Sequence, residues 1–239
     1  MQPIPATSVR NQLLAALPRR ELAHVMSACK EIDLVFGDVL AEAGAPIRQV
    51  LFPVHSIISI TTAVGLHRGL EVGLIGDEGM LGVTLLLGVD VAPLQALVLG
   101  QGMALSMTRG DFLGMALEGS ALRRILRRYL YVLMQQLAQA ASCARFHVVE
   151  ARLARWLLTA HDRTHADNLH VTQEFLSWML GVRRVGVTKA AGALQRRKLI
   201  HYARGEISIL DRAGLEAAAC SCYAADRSSY ASGMGGRPP

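Results

Sequence analysis

The sequence predicts an α+β chain in three parts: an antiparallel β-structure, one long helix, and a small helical unit closed by a β-hairpin. Three observations carry that reading. Between Ile32 and Met107, short runs rich in Val, Ile and Leu are cut repeatedly by Gly and Pro, the pattern of a β-barrel or sandwich and not of a βαβ repeat. From Asp111 onward the glycines thin out and apolar residues recur at helical spacing. A helix–glycine–helix pattern over residues 172–200 is then followed by two alternating runs around Arg204-Gly205, which read as a hairpin.

Taken in order, Asn11–Lys30 reads as one helix, with Leu13, Leu14, Leu17, Leu22, Val25 and Met26 at helical spacing around Pro18. The β-region follows, with Met80, Met103 and Met107, and then Met115, as core filler. Residues 118–144 form the long helix. Leu122, Leu126, Tyr129, Leu133, Gln136 and Ala140 alternate in steps of three and four, a heptad-like seam. Such a stripe either packs on the chain's own β-structure or meets a second copy. Arg145–Ala160 is a further helix, His161–His170 is polar and loop-like, and Leu169–Val171 is a short strand. Thr172 caps a helix that runs to Leu180, and Gly181 supplies a left-handed turn residue. The segmentation is 10–117, 118–144 and 145–223, with 224–239 expected to be a disordered tail rich in Ser, Gly, Arg and Pro.

With 239 residues, 51% hydrophobic and 18% charged, the chain has ample material for a packed core. No apolar run reaches the roughly 18 residues of a membrane span. Met1–Ala16, with Pro3, Pro5, Arg10 and Asn11, lacks the apolar core of a secretion signal. Cys29, Cys143, Cys220 and Cys222 are too few and scattered for a disulfide framework. A cytoplasmic location with no membrane partner is expected. The net charge of +6 is unevenly placed: Met1–Leu117 carries 7 Lys/Arg against 10 Asp/Glu, whereas Arg145–Arg212 carries 12 against 6. Val171–Arg204 alone has Arg183, Arg184, Lys189, Arg196, Arg197, Lys198 and Arg204 against Glu174. That asymmetry suggests a polyanion-binding module near the C-terminus, or a solvated basic face.

Leu176, Met179, Leu180, Val182, Val187 and Leu194 are spaced to pack the two helices of residues 172–196 together. Arg183 and Arg184 open the second helix and Lys189 follows on the side away from the apolar positions. This is the pattern of a helix-turn-helix whose second helix enters the DNA major groove. Arg204, at the tip of the hairpin, is placed to reach a phosphate. No catalytic residues are nominated: a Ser-His-Asp logic, a GKS or GKT phosphate loop and a supported carboxylate pair are all missing. His161-Asp162 reads as a solvated linker. Cys220-Ser-Cys222 offers two metal or redox groups, too few to close a site, so no metal and no cofactor are expected.

These residues resemble the Crp/Fnr transcriptional regulators of bacteria. Phe36–Gly44, Leu51–Ile60 and Gly73–Gly82 look like that family's β-roll, residues 118–142 like its dimerising helix, and Asp211–Leu215 like its ending after the wing. The resemblance implies a homodimer through residues 118–144, with a cyclic-nucleotide-binding-like jelly roll and a C-terminal winged helix-turn-helix on a palindromic double-stranded operator. It also implies RNA polymerase as a further partner. By position, Arg184, Val185 and Lys189 are the base-reading residues, and Arg183 and Thr172 stand at the two helix starts beside them. Val185 departs from the acidic residue of the cyclic-AMP receptors, which favours a thymine methyl over cytosine. Val83, Leu94 and Gln95 stand where the family's Glu, Arg and Ser hold a cyclic nucleotide, and no arginine lies between Arg68 and Arg109. A cyclic-AMP site is therefore not expected. An iron–sulfur sensor would need clustered N-terminal cysteines, where Cys29 stands alone. His55 and His67 are weak haem candidates. The other class left open is a ligand-sensing or protein-interaction module with a vestigial or non-specific helix-turn-helix.

Overall fold

The computed structural model describes residues 10–64, 67–117, 119–164 and 166–235. Pro3, Pro5, Gly65, Glu118 and the last four tail residues, and the side chains of His67 and Arg68, lie outside that description. The chain opens with α1 (Gln12–Ala15) and α2 (Arg19–Ala28), which are two helices and not the single one expected. Pro18 lacks the N–H that would continue α1, and its extended ψ of 143° places it before the first turn of α2.

Among the described residues, seven strands build the front half: β1 (Lys30–Leu34), β2 (Val39–Ala41), β3 (Gln49–Pro53), β4 (Ile57–Val64), β5 (His67–Ile75), β6 (Gln95–Gly100) and β7 (Gly102–Thr108). They form two antiparallel sheets, β1-β7-β3 and β2-β6-β4-β5. Lys30 faces Ser106 and Gln49 faces Thr108 in the first sheet, while Ile58 faces Ile75 in the second. Leu34, Leu51, Ile58, Ile75, Val98 and Ala104 fill one core, and a short 3₁₀ turn (Val83–Leu87) precedes β6. The antiparallel β-structure expected from the glycine-punctuated sequence is present, in the place where the family resemblance implied a β-roll.

α3 (Arg109–Met115) leads into α4 (Ala121–Phe146), a helix of 26 residues and so about 39 Å long. Its free N–H groups are met from two sides. Ser120 Oγ accepts from Arg123 N at 3.1 Å, and the Glu21 carboxylate of α2 accepts from Ala121 N at 2.8 Å and Leu122 N at 3.2 Å. The heptad-like seam faces inward: Leu122, Leu126 and Tyr129 are buried with Val50, Phe52, Leu105 and Phe112 in the chain's own core, and Leu133 packs partly against it. The apolar stripe left in solvent is a different one, with Tyr131, Met134 and Leu137 exposed.

The last third comprises α5 (Val149–Thr164), β8 (Asn168–His170), α6 (Gln173–Met179), α7 (Arg184–Arg196), β9 (Ile200–Ala203), β10 (Glu206–Ile209), α8 (Arg212–Ala218) and α9 (Cys222–Met234). Its core joins Leu153, Trp156, Leu157, Leu176, Val187, Leu194 and Ile207. Two sequence expectations need correction here. His161 and Asp162 belong to α5 and not to a solvated loop: Arg212 binds both, and Tyr223 donates to Asp162 Oδ2 at 2.7 Å. Residues 222–234 are helical and not a disordered tail, because α9 lies along α4 with Tyr223 and Tyr230 buried and Gly233 against Val132. Of the two, Tyr230 was hidden by the tail's composition. Among the described residues, no helix is long and apolar enough to cross a membrane.

Candidate nucleic-acid interface

Thr172 Oγ1 accepts from Phe175 N at 3.1 Å and so starts α6. Gly181, at φ +60°, turns the chain, and Val182 N closes the turn on Ser177 O at 2.9 Å. Helix α7 then follows with Val187, Ala190, Ala191 and Leu194 buried. Arg183 sits at its N-cap without a side-chain cap, so its guanidinium is not used within the turn. Arg183, Arg184, Val185 and Lys189 are all exposed, Val185 to 58%, on the side opposite the buried face. Thr188 shares that exposed side and was not singled out from the sequence. Its hydroxyl donates to Gln173 Oε1 at 2.8 Å, which ties the two helices together.

The hairpin β9–β10 pairs Ala203 with Glu206 across a two-residue loop. Arg204 at φ +53° and Gly205 at φ +84° place both central residues in the left-handed region, as a type I′ turn requires. β8 adds to β10, and Gln195 Oε1 of α7 accepts from Tyr202 N at 2.8 Å, which fixes the wing to α7. Arg204 is exposed at the tip. Of the basic residues on this surface, Arg197 is held by Glu150 at 3.0 Å. No ion pair among the described residues engages Arg183, Arg184, Lys189 or Arg204. The result is a convex helix with free cationic heads and one methyl-bearing side chain, flanked by a cationic loop. A duplex groove with its phosphates matches that chemistry.

The β-structure holds a second candidate site. A cavity of about 560 Å³ lies between β2, the 3₁₀ turn, residues 92–94 and α4. Val83, Pro93 and Leu94 line it, as do Leu130, Leu133, Met134 and Leu137. Its charged lining residues are Glu42 and Arg48, both exposed. Thr84 Oγ1 is buried without a hydrogen-bond partner there. The Gln95 amide is turned away to other work, donating to Glu42 Oε2 at 2.8 Å and accepting from Thr61 Oγ1 at 3.2 Å.

The remaining candidates separate. Cys29 is buried in the N-terminal core, which pushes its thiol up to about 12, and His55 is exposed on the turn between β3 and β4. Cys220 and Cys222 are not an isolated pair, since Cys143 and His147 from the end of α4 stand against them.

Residues 151–218 match the model of the Crp-like helix-turn-helix domain. A sequence comparison with curated proteins finds no match. Among solved structures, FixK2 from Bradyrhizobium japonicum aligns with a TM-score of 0.68 at 13% identity, over 80% of this chain and 98% of that one. A CRP-family transcriptional regulator from Thermus thermophilus aligns with a TM-score of 0.65 at 19% identity, over 80% and 96%. The c-di-GMP responsive global regulator CLP of Xanthomonas campestris aligns with a TM-score of 0.60 at 17% identity, over 80% and 99%. Residues 151–218 thus match the Crp-like helix-turn-helix domains, and they are carried on a chain whose fold is similar to that of solved Crp/Fnr transcriptional regulators.

Proposed function

We propose that the protein is a homodimeric, sequence-specific transcriptional regulator that reads a palindromic operator and does not respond to cyclic AMP. The observation that carries the reading is the unpaired cationic face of α7 beside the wing tip, in a domain of Crp-like type. In this reading Arg184 donates two hydrogen bonds to a guanine edge, Val185 meets a thymine methyl, and Lys189 reads the next exposed position one turn on. Arg183 and Arg204 contact phosphates, and Thr172 stands at the backbone side of the groove. RNA polymerase is the further partner. The outward stripe of Tyr131, Met134 and Leu137 on α4 is the face that receives a second copy, which brings two α7 helices to successive major grooves.

The unresponsiveness to cyclic AMP is supported by the cavity. A cyclic phosphate needs a buried cation or several converging donors, because an uncompensated charge is costly in an apolar site. Val83 and Leu94 contribute neither, and the Gln95 amide is already engaged. The test is selection of bound duplexes from a random library with the purified protein, with and without cyclic AMP. Enrichment of a palindrome with half-sites about one helical turn apart, unchanged by the nucleotide, is expected. Enrichment only when cyclic AMP is present overturns the effector reading. A flat library under both conditions and in cell extract overturns sequence-specific recognition.

A further inference from the structure

Two segments more than 70 positions apart bring four side chains of metal-ligand type together where α4 ends. Cys143 lies in the last turn of α4 and His147 caps that helix, its backbone N–H donating to Cys143 O at 3.2 Å. Cys220 and Cys222 flank the turn between α8 and α9. The Sγ atoms of the three cysteines and the imidazole nitrogen all lie within 4.8 Å of one another. Cys143 Sγ is 3.5 Å from Cys220 Sγ, and Cys222 Sγ is 3.4 Å from His147 Nδ1. All three thiols are buried and His147 is half-buried.

These spacings suit a single ion. Zinc bonds of about 2.3 Å to sulfur and about 2.0–2.1 Å to nitrogen, arranged tetrahedrally, put neighbouring ligand atoms about 3.4–3.8 Å apart. Two edges of that tetrahedron are already present. Three thiolates and one imidazole select a borderline-soft metal and reject magnesium and calcium, which require oxygen ligands. The surroundings match as well. Gln139 Nε2, one turn before Cys143, donates to Cys222 Sγ at 2.9 Å, the kind of outer contact that orients a ligand. Arg152 and Arg155 of α5 interact electrostatically with Cys143 and Cys220. A divalent ion with three thiolates carries one net negative charge, which these guanidinium groups offset.

We propose that Cys143, His147, Cys220 and Cys222 form a Cys₃His site for one zinc-type ion, which clamps the end of α4 to the turn between α8 and α9. The clamp sits at the hinge: His147 leaves the helical conformation at φ −108° and ψ 143°, and α5 begins two residues later. Binding there fixes the angle at which the helix-turn-helix leaves α4. Because the ligands come from both sides of the hinge, metal affinity and hinge geometry are coupled. This inference stands apart from the DNA-binding reading, since its readout is metal content.

The test is cobalt loading of the full chain, purified under reducing conditions and stripped of metal. One equivalent per chain is expected, with the thiolate-to-cobalt charge transfer and intense visible absorption of a tetrahedral site, displaced stoichiometrically by zinc. Cys220→Ser/Cys222→Ser loses the bands. Gln139→Ala, which removes only the outer contact, keeps the stoichiometry and weakens affinity roughly tenfold, at the low end for such contacts. Circular dichroism of each variant separates loss of ligation from loss of fold. Absence of stoichiometric cobalt in the intact chain overturns the proposal, as does persistence of the bands in the double variant. Mapping of a Cys143–Cys220 disulfide in metal-free protein as isolated overturns it too.

Discussion

Arg184 and Arg204 are both exposed arginines within the same domain, yet they are expected to fail differently. Arg184→Ala removes a directional pair of donors, so it costs about 1–3 kcal/mol and relaxes preference at one base pair. Arg204→Ala removes a point contact, so binding weakens on every duplex and the slope of log affinity against log salt falls by about one. Titrations of each variant on a panel of single-base operator changes, at two salt concentrations, distinguish the two. The exposed placement of both residues was legible in the sequence, because one lies off the apolar face of a helix and the other at an Arg-Gly turn. Glu71 was not legible. Its carboxylate accepts from Ser59 Oγ at 2.7 Å and from Trp156 Nε1 at 2.8 Å, and burial raises its pKa to about 7 despite those bonds and the nearby Arg155 and Arg163. Trp156 is 85 positions away, and spacing rules do not reach that far. A carboxyl group raised in the folded state stabilises it below the unfolded value near 4.5, and that contribution is lost as pH rises through about 7. Thermal melts from about pH 5 to about pH 8 are expected to fall less steeply for Glu71→Gln than for the parent. Parallel curves would refute the assignment.

At the scale of elements, periodicity found the longer amphipathic helices but not their partners. The seam of Leu122, Leu126 and Tyr129 has the spacing of a coiled coil, yet it is the side that α4 turns toward its own β-structure. A 3.5-residue repeat states that a stripe is buried, not against which molecule. A face proposed for self-association therefore has to be read from exposure. Met134→Glu, on a residue 64% exposed, is expected to leave the fold intact and yield monomers in sedimentation, with specific DNA binding weakened more than tenfold because one half-site is lost. Leu126→Glu on the buried side is expected to unfold the chain instead. Pro18 and the C-terminal segment 222–234 teach the same lesson in opposite directions. A proline within an apolar period ended one helix and began the next. A tail rich in Ser, Gly, Arg and Pro looked unstructured because composition alone could not pair Tyr230 with Glu78 of the β-roll, 152 positions away.

At the scale of the molecule, the helix-turn-helix is not hung on a loose tether. Arg163 of α5 reaches into the β-roll and pairs with Glu78 at 2.8 Å, with both side chains almost wholly buried. Gly76 N donates to Glu78 Oε2 at 3.1 Å, and Tyr230 of α9 donates to Glu78 O at 2.9 Å. Removing one member strands the other, so Arg163→Ala is expected to cost about 3–5 kcal/mol in denaturant unfolding. A loss below about 1 kcal/mol would mean the pair is solvated in solution. The fold class, the order of the parts and the basic helix α7 follow from local pattern. The pairings that hold the parts together rest on residues distant in sequence, which pattern cannot see. One wall of the apolar cavity has a thermodynamic corollary. Met134 and Leu137 belong both to that wall and to the outward stripe. If the proposed dimer forms on that stripe, a guest of the cavity and the second copy press on the same two side chains, and reciprocity makes each alter the other's equilibrium constant by an equal factor. A guest's apparent affinity would then depend on the protein's own concentration, so dilution alone would shift it.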